Sequence, residues 1–170
     1  YELYSLQKQI DGILIDEKVE KHTPKIPKKY SLIKSIEELK ELSTKLEKSI
    51  IIAVDTETTS IDPHNAELVG ISLSIKENEG YYIPVLGLET KKLLNLTKVI
   101  GVLNPILGNE NIAKCGQNIK YDIIVLNKAG FLIKGVHFDT MIAAHLINPA
   151  IHEYKLDFLS QQYLGYSMMP

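Results

Sequence analysis

The feature that most constrains the fold is a continuous apolar and β-branched run at residues 50–54, which ends directly in Asp55-Thr56-Glu57. Such a run predicts a central strand that is buried on both faces. Side chains two positions apart on a strand point to the same face, so Asp55 and Glu57 can bind one or two divalent cations together. The alternative is that the acidic residues only mark the point where the strand leaves the core.

The rest of the chain predicts an α/β fold with a mixed sheet. Two alternating segments, residues 68–75 and 80–85, are separated by a turn and predict strands antiparallel to the central one. Residues 30–33 and 111–115 predict two more short strands. Helices are predicted at residues 35–46, from a cap at Thr90 to an interruption near Pro105, and at residues 119–129, 140–147 and 155–163.

A second acidic position lies in residues 116–122, with the sequence GQNIKYD, where a loop enters a helix. Asp122 precedes three apolar residues, and a carboxylate in apolar surroundings costs free energy unless it is paired. A metal ion would pair with it. The alternative, which these residues alone favour, is that Asp122 complements the helix dipole. Asp139 is interpreted as the N-cap of the next helix.

Composition excludes several classes of protein. The net charge of −2, from 19 lysines and no arginine against 21 acidic residues, gives no footprint of a general duplex binder, so a nucleic-acid site must be local. The longest apolar run is too short to cross a membrane. A single cysteine, Cys115, is expected to be buried and inert and indicates a reducing compartment, the cytoplasm. No phosphate-binding loop or dinucleotide fingerprint is present.

Several segments resemble the 3′-5′ exonuclease domain of bacterial family A DNA polymerase I, a member of the DEDD exonuclease superfamily. Residues 55–62, 66–72 and 82–84 resemble its first motif, and residues 116–122 resemble its second. Residues 138–141 and 159–165 continue the similarity in the same order, so that it covers about residues 30–166. The resemblance implies a ribonuclease-H-like fold.

The resemblance also implies a function, which is proofreading removal of nucleotides from the 3′ end of single-stranded or frayed DNA. Asp55, Glu57 and Asp122 would hold two divalent metal ions, Mg²⁺ or Mn²⁺, and Glu57 would also orient the attacking water. The implied partners are the single-stranded DNA 3′ end and the polymerase domain of the same parent chain. The protein is expected to act as a monomer and without a membrane.

Four further residues take roles in DNA binding from the resemblance. Thr58 would contact the terminal nucleotide. Ile61, where the family usually has leucine, would wedge against the terminal base. Asn118 and Tyr121 would line the path of the single strand, where stacking and polar contacts accept any base.

The chain departs from the family at one motif. The family completes its site with a Tyr-x-x-x-Asp motif, and no tyrosine of this chain has aspartate four positions later. We therefore expect an incomplete site and a weak or inactive protein. His152 and Asp157 have the His-x-x-x-x-Asp spacing of a related branch, but Asp157 is interpreted as a helix-start residue. Residues 1–29 are expected to be the end of a preceding 5′-nuclease domain and a linker, and residues 30–170 the exonuclease domain, truncated before its last motif.

Two alternatives to a proofreading exonuclease remain open. One is a ribonuclease D-like exonuclease that trims RNA and uses the same carboxylates. The other is a catalytically silent structural domain of a polymerase, against which the presence of Asp55, Glu57 and Asp122 argues.

Overall fold

The computed structural model describes residues 28–87, 93–151 and 153–168. In these ranges six strands form one sheet in the order β1-β4-β3-β2-β5-β6. The strands are β1 Lys29–Leu32, β2 Ile51–Thr58, β3 Leu68–Ser74, β4 Glu79–Pro84, β5 Ala113–Gly116 and β6 Val136–Asp139. The helices are α1 Ile36–Leu46, α2 Leu96–Leu107, α3 Ile119–Lys128, α4 Thr140–Ile147 and α5 Leu156–Leu164.

The sheet is mixed, as the sequence predicts. The strands β2, β3 and β4 are antiparallel neighbours, whereas β5 and β6 continue the sheet from β2 in parallel and β1 lies parallel to β4. The edge strand β6 has no counterpart among the predicted strands. Its four residues alternate apolar and polar, which is the shortest length that gives a strand signal, and the prediction missed it.

The central strand β2 differs from the prediction in its burial. Ile52 and Val54 are buried, but Ile51 is exposed and Ala53 is only half-buried, so the expectation that the apolar run is buried on both faces is wrong. Asp55 and Glu57 continue the more exposed face. The buried face belongs to a core that also contains leucines of α1 and apolar residues of α2 and α3. The strand also continues to Thr58, so the two acidic residues lie within it, on its uncovered face.

The helix ends show where local sequence signals succeed and fail. Ser35 caps α1 by accepting a hydrogen bond from the Glu38 amide at 3.1 Å, as predicted. The cap of α2 is Asn95, and the predicted cap at Thr90 lies outside the described residues. The helix α2 is not interrupted near Pro105, because this proline lies in the last turn, where it removes only one helical hydrogen bond.

The described residues divide into two compact units, one within residues 28–156 and one of residues 157–168. In the described part of the second unit, Gly165 has a φ of +62° directly after α5, a conformation that favours glycine. The predicted end of a preceding domain at residues 1–29 falls almost wholly outside the described residues and stays a prediction. None of the described helices is long and apolar enough to span a membrane.

Candidate metal and nucleic-acid site

The acidic residues of β2 lie opposite small residues of β3. Asp55 pairs across the sheet with Ser72, and Glu57 pairs with Gly70. The ring of Tyr82, from β4, covers Gly70 so closely that a methyl group in place of its hydrogen would collide with the phenol. Only glycine at position 70 therefore lets the Tyr82 side chain lie beside Glu57.

The carboxyl group of Asp55 is affected by two acidic neighbours. Although the residue as a whole is exposed, its carboxyl group is partly buried, and this desolvation together with the negative charges of Asp122 and Glu57 raises the pKa of Asp55 from 3.8 to about 6. The charge of Asp122 acts on Asp55, so α3 brings the second acidic motif close to the first. A bound cation would relieve this repulsion, since an opposite charge favours the ionised form.

The raised pKa of Asp55 predicts how stability depends on pH when no metal is bound. The folded pKa of about 6 lies above the ordinary 3.8, so the folded state binds this proton more tightly than the unfolded state does. The resulting stabilisation is full below pH 4 and is lost as the pH rises through about 6. Urea unfolding in EDTA should therefore show that the free energy of unfolding of Asp55→Asn, relative to that of the wild type, increases from pH 4 to pH 7. If the difference in free energy of unfolding between the two proteins does not change with pH, the raised pKa of Asp55 is contradicted.

Asp122 lies in the first turn of α3 and is only 3% exposed. Its Oδ1 accepts two hydrogen bonds from Thr56, one from the amide at 2.9 Å and one from the hydroxyl at 2.6 Å. The pKa of Asp122 is raised overall, because burial and the charge of Asp139 raise it by more than the two hydrogen bonds from Thr56 lower it. The buried carboxylate thus has a protein partner in Thr56. This role of Thr56 was not predicted from the sequence, although its position between Asp55 and Glu57, on the opposite and buried face of β2, was the available signal.

Asp139 caps α4, as predicted, and it also caps α3. Its Oδ1 accepts hydrogen bonds from the amides of Met141 and Ile142 at the start of α4. The same oxygen accepts from the Asn118 amide at 3.1 Å, and Oδ2 accepts from the Ile119 amide at 2.8 Å. One carboxylate therefore fixes the starts of both helices and sets the position from which α3 presents Asp122.

The predicted nucleic-acid contacts Thr58, Ile61 and Tyr121 lie at the end of β2 and on the facing side of α3. The hydroxyl oxygens of Thr58 and Tyr121 are 2.5 Å apart, and both groups also hydrogen-bond to the Ser60 carbonyl. Ile61 is 98% exposed. Asn118 adopts a left-handed conformation with a φ of 54° at the N-cap of α3, and its side chain does not cap the helix.

A groove of about 780 Å³ lies beside Asp55 on the uncovered face of the sheet. Its walls include Tyr30 and Leu32 of β1, Tyr82 of β4, and Gln117 and Thr140. Gln117 is held by a 2.6 Å hydrogen bond to the Tyr154 carbonyl and by the Thr140 hydroxyl. Cys115 also lines the groove and is only half-buried, so the expectation of a buried cysteine is wrong. Burial nevertheless raises the pKa of its thiol, which fits the predicted lack of reactivity.

The carboxylates do not form a closed metal cage. Among residues 28–87, 93–151 and 153–168, no group of three or more His, Cys, Asp or Glu side chains has an arrangement that could hold a metal ion. Magnesium, however, usually binds through one or two carboxylates together with water and substrate phosphate oxygens. The mutual repulsion at Asp55 and the all-oxygen donor set of Asp55, Glu57 and Asp122 fit such an open site.

Solved structures with a similar fold include several nucleases and a polymerase. A Trypanosoma brucei RNase D in complex with RNA U12 has a TM-score of 0.70 at 17% identity, and the match covers 83% of this chain and 48% of that one. The Pol1 of M. smegmatis with DNA primer-template and dNTP has a TM-score of 0.68 at 21% identity, covering 82% and 23%. Brucella melitensis NrnC with bound Mg²⁺ has a TM-score of 0.60 at 21% identity, covering 85% and 65%. The expected ribonuclease-H-like fold is confirmed.

Sequence relatives identify the family. A DNA polymerase I from Borreliella burgdorferi is 42% identical over 80% of this chain, and one from Pseudomonas aeruginosa is 38% identical over 72%. The chain spans 15% and 14% of the lengths of these relatives. A profile of the 3′-5′ exonuclease family matches residues 30–169. The chain therefore belongs to the 3′-5′ exonuclease family of DNA polymerase I.

Proposed function

We propose that this chain removes nucleotides from the 3′ end of single-stranded or frayed DNA by hydrolysis that depends on two divalent metal ions. The observation that supports this most directly is the position of Asp122 on α3, because its carboxylate accepts two hydrogen bonds from Thr56, the residue between Asp55 and Glu57 on β2. The relatives are DNA polymerases I, and this chain matches about a seventh of their length. Its proposed partner is accordingly the polymerase domain of the same parent chain, for which it would proofread.

Asp55, Glu57 and Asp122 are the proposed metal ligands. Divalent ions at such a site supply charge neutralisation of the leaving oxygen and activation of water. The Mg²⁺ bound by the structurally similar NrnC supports a divalent cation here, and Mn²⁺ has the same preference for oxygen ligands. Glu57, at the exposed end of β2, would orient the attacking water. Thr56 would keep the Asp122 carboxylate turned towards the site by its two hydrogen bonds.

The DNA strand would approach along the start of α3. Thr58 would contact the terminal nucleotide, and the exposed Ile61 would pack against the terminal base. The ring of Tyr121 and the side chain of Asn118 would line the strand's path. Contacts of this kind accept any base, which suits an enzyme that must remove whichever nucleotide is misplaced.

An RNA substrate is the second candidate, because the RNase D of Trypanosoma brucei in complex with RNA has a similar fold. DNA is favoured by the relatives, which are DNA polymerases at up to 42% identity, against 17% for the RNase D. A protein that reads the 2′-hydroxyl distinguishes the two substrates. The choice can therefore be tested with two strands of identical base sequence.

The test is digestion of 5′-labelled single-stranded DNA and RNA of one sequence with Mg²⁺ or Mn²⁺. We expect a ladder that shortens from the 3′ end of the DNA, slower shortening of the RNA, and no ladder in EDTA. The rate should be low, because the sequence lacks the Tyr-x-x-x-Asp motif. Faster shortening of RNA would favour the ribonuclease D alternative. Intact DNA and RNA under every condition, together with no binding of Mn²⁺, would favour the silent structural domain.

A further inference from the structure

The loop between β2 and β3 carries the most exposed large apolar side chain at the proposed site, Ile61. The loop is closed at its base by two hydrogen bonds between Thr59 and Glu67, of 3.1 and 3.0 Å. Within it, Asp62 accepts hydrogen bonds from the amides of His64 and Ala66. An isolated loop with these bonds has an ordered interior, but they do not fix its orientation relative to the rest of the site.

Two side chains of α3 fix that orientation. The Tyr121 hydroxyl holds the first part of the loop through the Ser60 carbonyl and the Thr58 hydroxyl. The Lys128 ammonium group holds the last part, by donating to the His64 carbonyl at 2.8 Å and to the Ala66 carbonyl at 3.0 Å. Tyr121 and Lys128 are seven positions apart and therefore lie on the same face of the helix. The helix that presents Asp122 thus also holds the loop that presents Ile61.

We propose that Lys128 is a positioning residue for the 3′-terminal nucleotide, because it holds residues 60–66 against α3 and so fixes Ile61 relative to the carboxylates. This inference rests on the proposed function. A side chain that separates a terminal base from its partner must resist displacement by the duplex. A loop that is hydrogen-bonded to α3 at both ends resists displacement, and it loses no further conformational entropy when the duplex binds. A single strand needs no such separation, so the role of Lys128 concerns duplex ends.

The test compares Lys128→Met with the wild type on three 5′-labelled substrates: a single strand, a duplex with a mismatched 3′ end and a fully paired duplex. We expect the rate on the single strand to stay within about twofold, and the rates on both duplex ends to fall about tenfold, since misplaced contacts commonly cost one to two orders of magnitude. Hydrogen exchange of the amides in residues 60–66 should become faster in the variant. Lys128→Arg, which can donate to both carbonyls, should restore the rates and the slow exchange.

Lys98→Met is the matched control, because Lys98 is an exposed helical lysine on α2 and its loss removes the same charge. The control should leave the rates and the exchange unchanged. If Lys128→Met slows all three substrates equally and leaves the exchange of residues 60–66 unchanged, Lys128 contacts DNA directly and the inference is wrong. A wild-type protein that shortens none of the substrates and binds no Mn²⁺ would overturn the proposed function, and this inference with it. Thermal unfolding of each variant excludes loss of the fold as the cause.

Discussion

Asp122→Asn is expected to lower the rate of nucleotide release from a DNA 3′ end by about a thousandfold, the equivalent of about 4 kcal/mol of transition-state stabilisation. The amide oxygen of asparagine can still accept both hydrogen bonds from Thr56, so the fold should be retained. The variant loses the negative charge that the proposed metal site requires. The rate would be measured on 5′-labelled single-stranded DNA, and Mn²⁺ binding would be measured separately by calorimetry, where the affinity should also fall.

The control for this prediction is Asp157→Asn. Asp157 is the other aspartate for which the sequence offers a ligand spacing, and its Oδ1 accepts a hydrogen bond from the Phe158 amide at 2.8 Å in the first turn of α5. Because Asp157 is interpreted as a helix-start residue, its substitution should leave the rate unchanged. An Asp122→Asn variant as active as the wild type would show that Asp122 has only a structural role. A strong loss in Asp157→Asn would instead revive the alternative ligand set.

Thr56 offers a graded version of the same experiment. Thr56→Val removes the 2.6 Å hydroxyl bond to Asp122 and leaves the amide bond in place. Groups that orient a metal ligand typically contribute 10- to 100-fold to metal affinity or activity. The expected loss for Thr56→Val is therefore about tenfold, between the wild type and Asp122→Asn. If the rate falls only in proportion to the melting temperature across the variants, Thr56 contributes to packing and does not position Asp122.

Local sequence signals were sufficient for much of this fold. The apolar run of β2, the alternation of β3 and β4, and the turn between them predicted three neighbouring strands, which the structure confirms. Ser35 and Asp139 were recognised as helix caps, because a capping side chain binds amides two or three residues along the chain. These interactions depend on neighbouring residues, so one sequence is enough to predict them.

The features that the sequence did not predict depend on residues far apart in the chain. Thr56 and Asp122 are 66 positions apart, and the bonds from Asp139 to the start of α3 span about 20 positions. No local pattern gives such pairings. The step from an acidic site to an exonuclease likewise came from the resemblance to a family and not from residue spacing.

Asp139→Ala is expected to destabilise the protein by about 3 kcal/mol, because it removes the side-chain acceptor of four amides at the starts of two helices, one of them in a buried hydrogen bond. Asp139→Asn should cost about half as much. Its oxygen can replace Oδ1, which accepts from Asn118, Met141 and Ile142, but its amino group would face the Ile119 amide that Oδ2 now accepts from. Urea unfolding monitored by circular dichroism measures both values. Ser35→Ala, which removes the cap of α1 alone, should cost about 1 kcal/mol and is the matched control.

The two Asp139 variants also test whether this carboxylate links the fold to the site. Both remove the bond from Oδ2 to the start of α3, and only Asp139→Ala also removes the bond from Oδ1. Because α3 presents Asp122, the rate on single-stranded DNA should fall more in Asp139→Ala than in Asp139→Asn. Both variants should still be folded at the assay temperature, so that unfolding does not account for the lower rates. Ser35→Ala acts on α1, which carries none of the three proposed metal ligands, and should leave the rate unchanged. Equal rates for both Asp139 variants and the wild type would mean that α4 and the sheet hold α3 in place without Asp139, and that its second cap contributes only to stability.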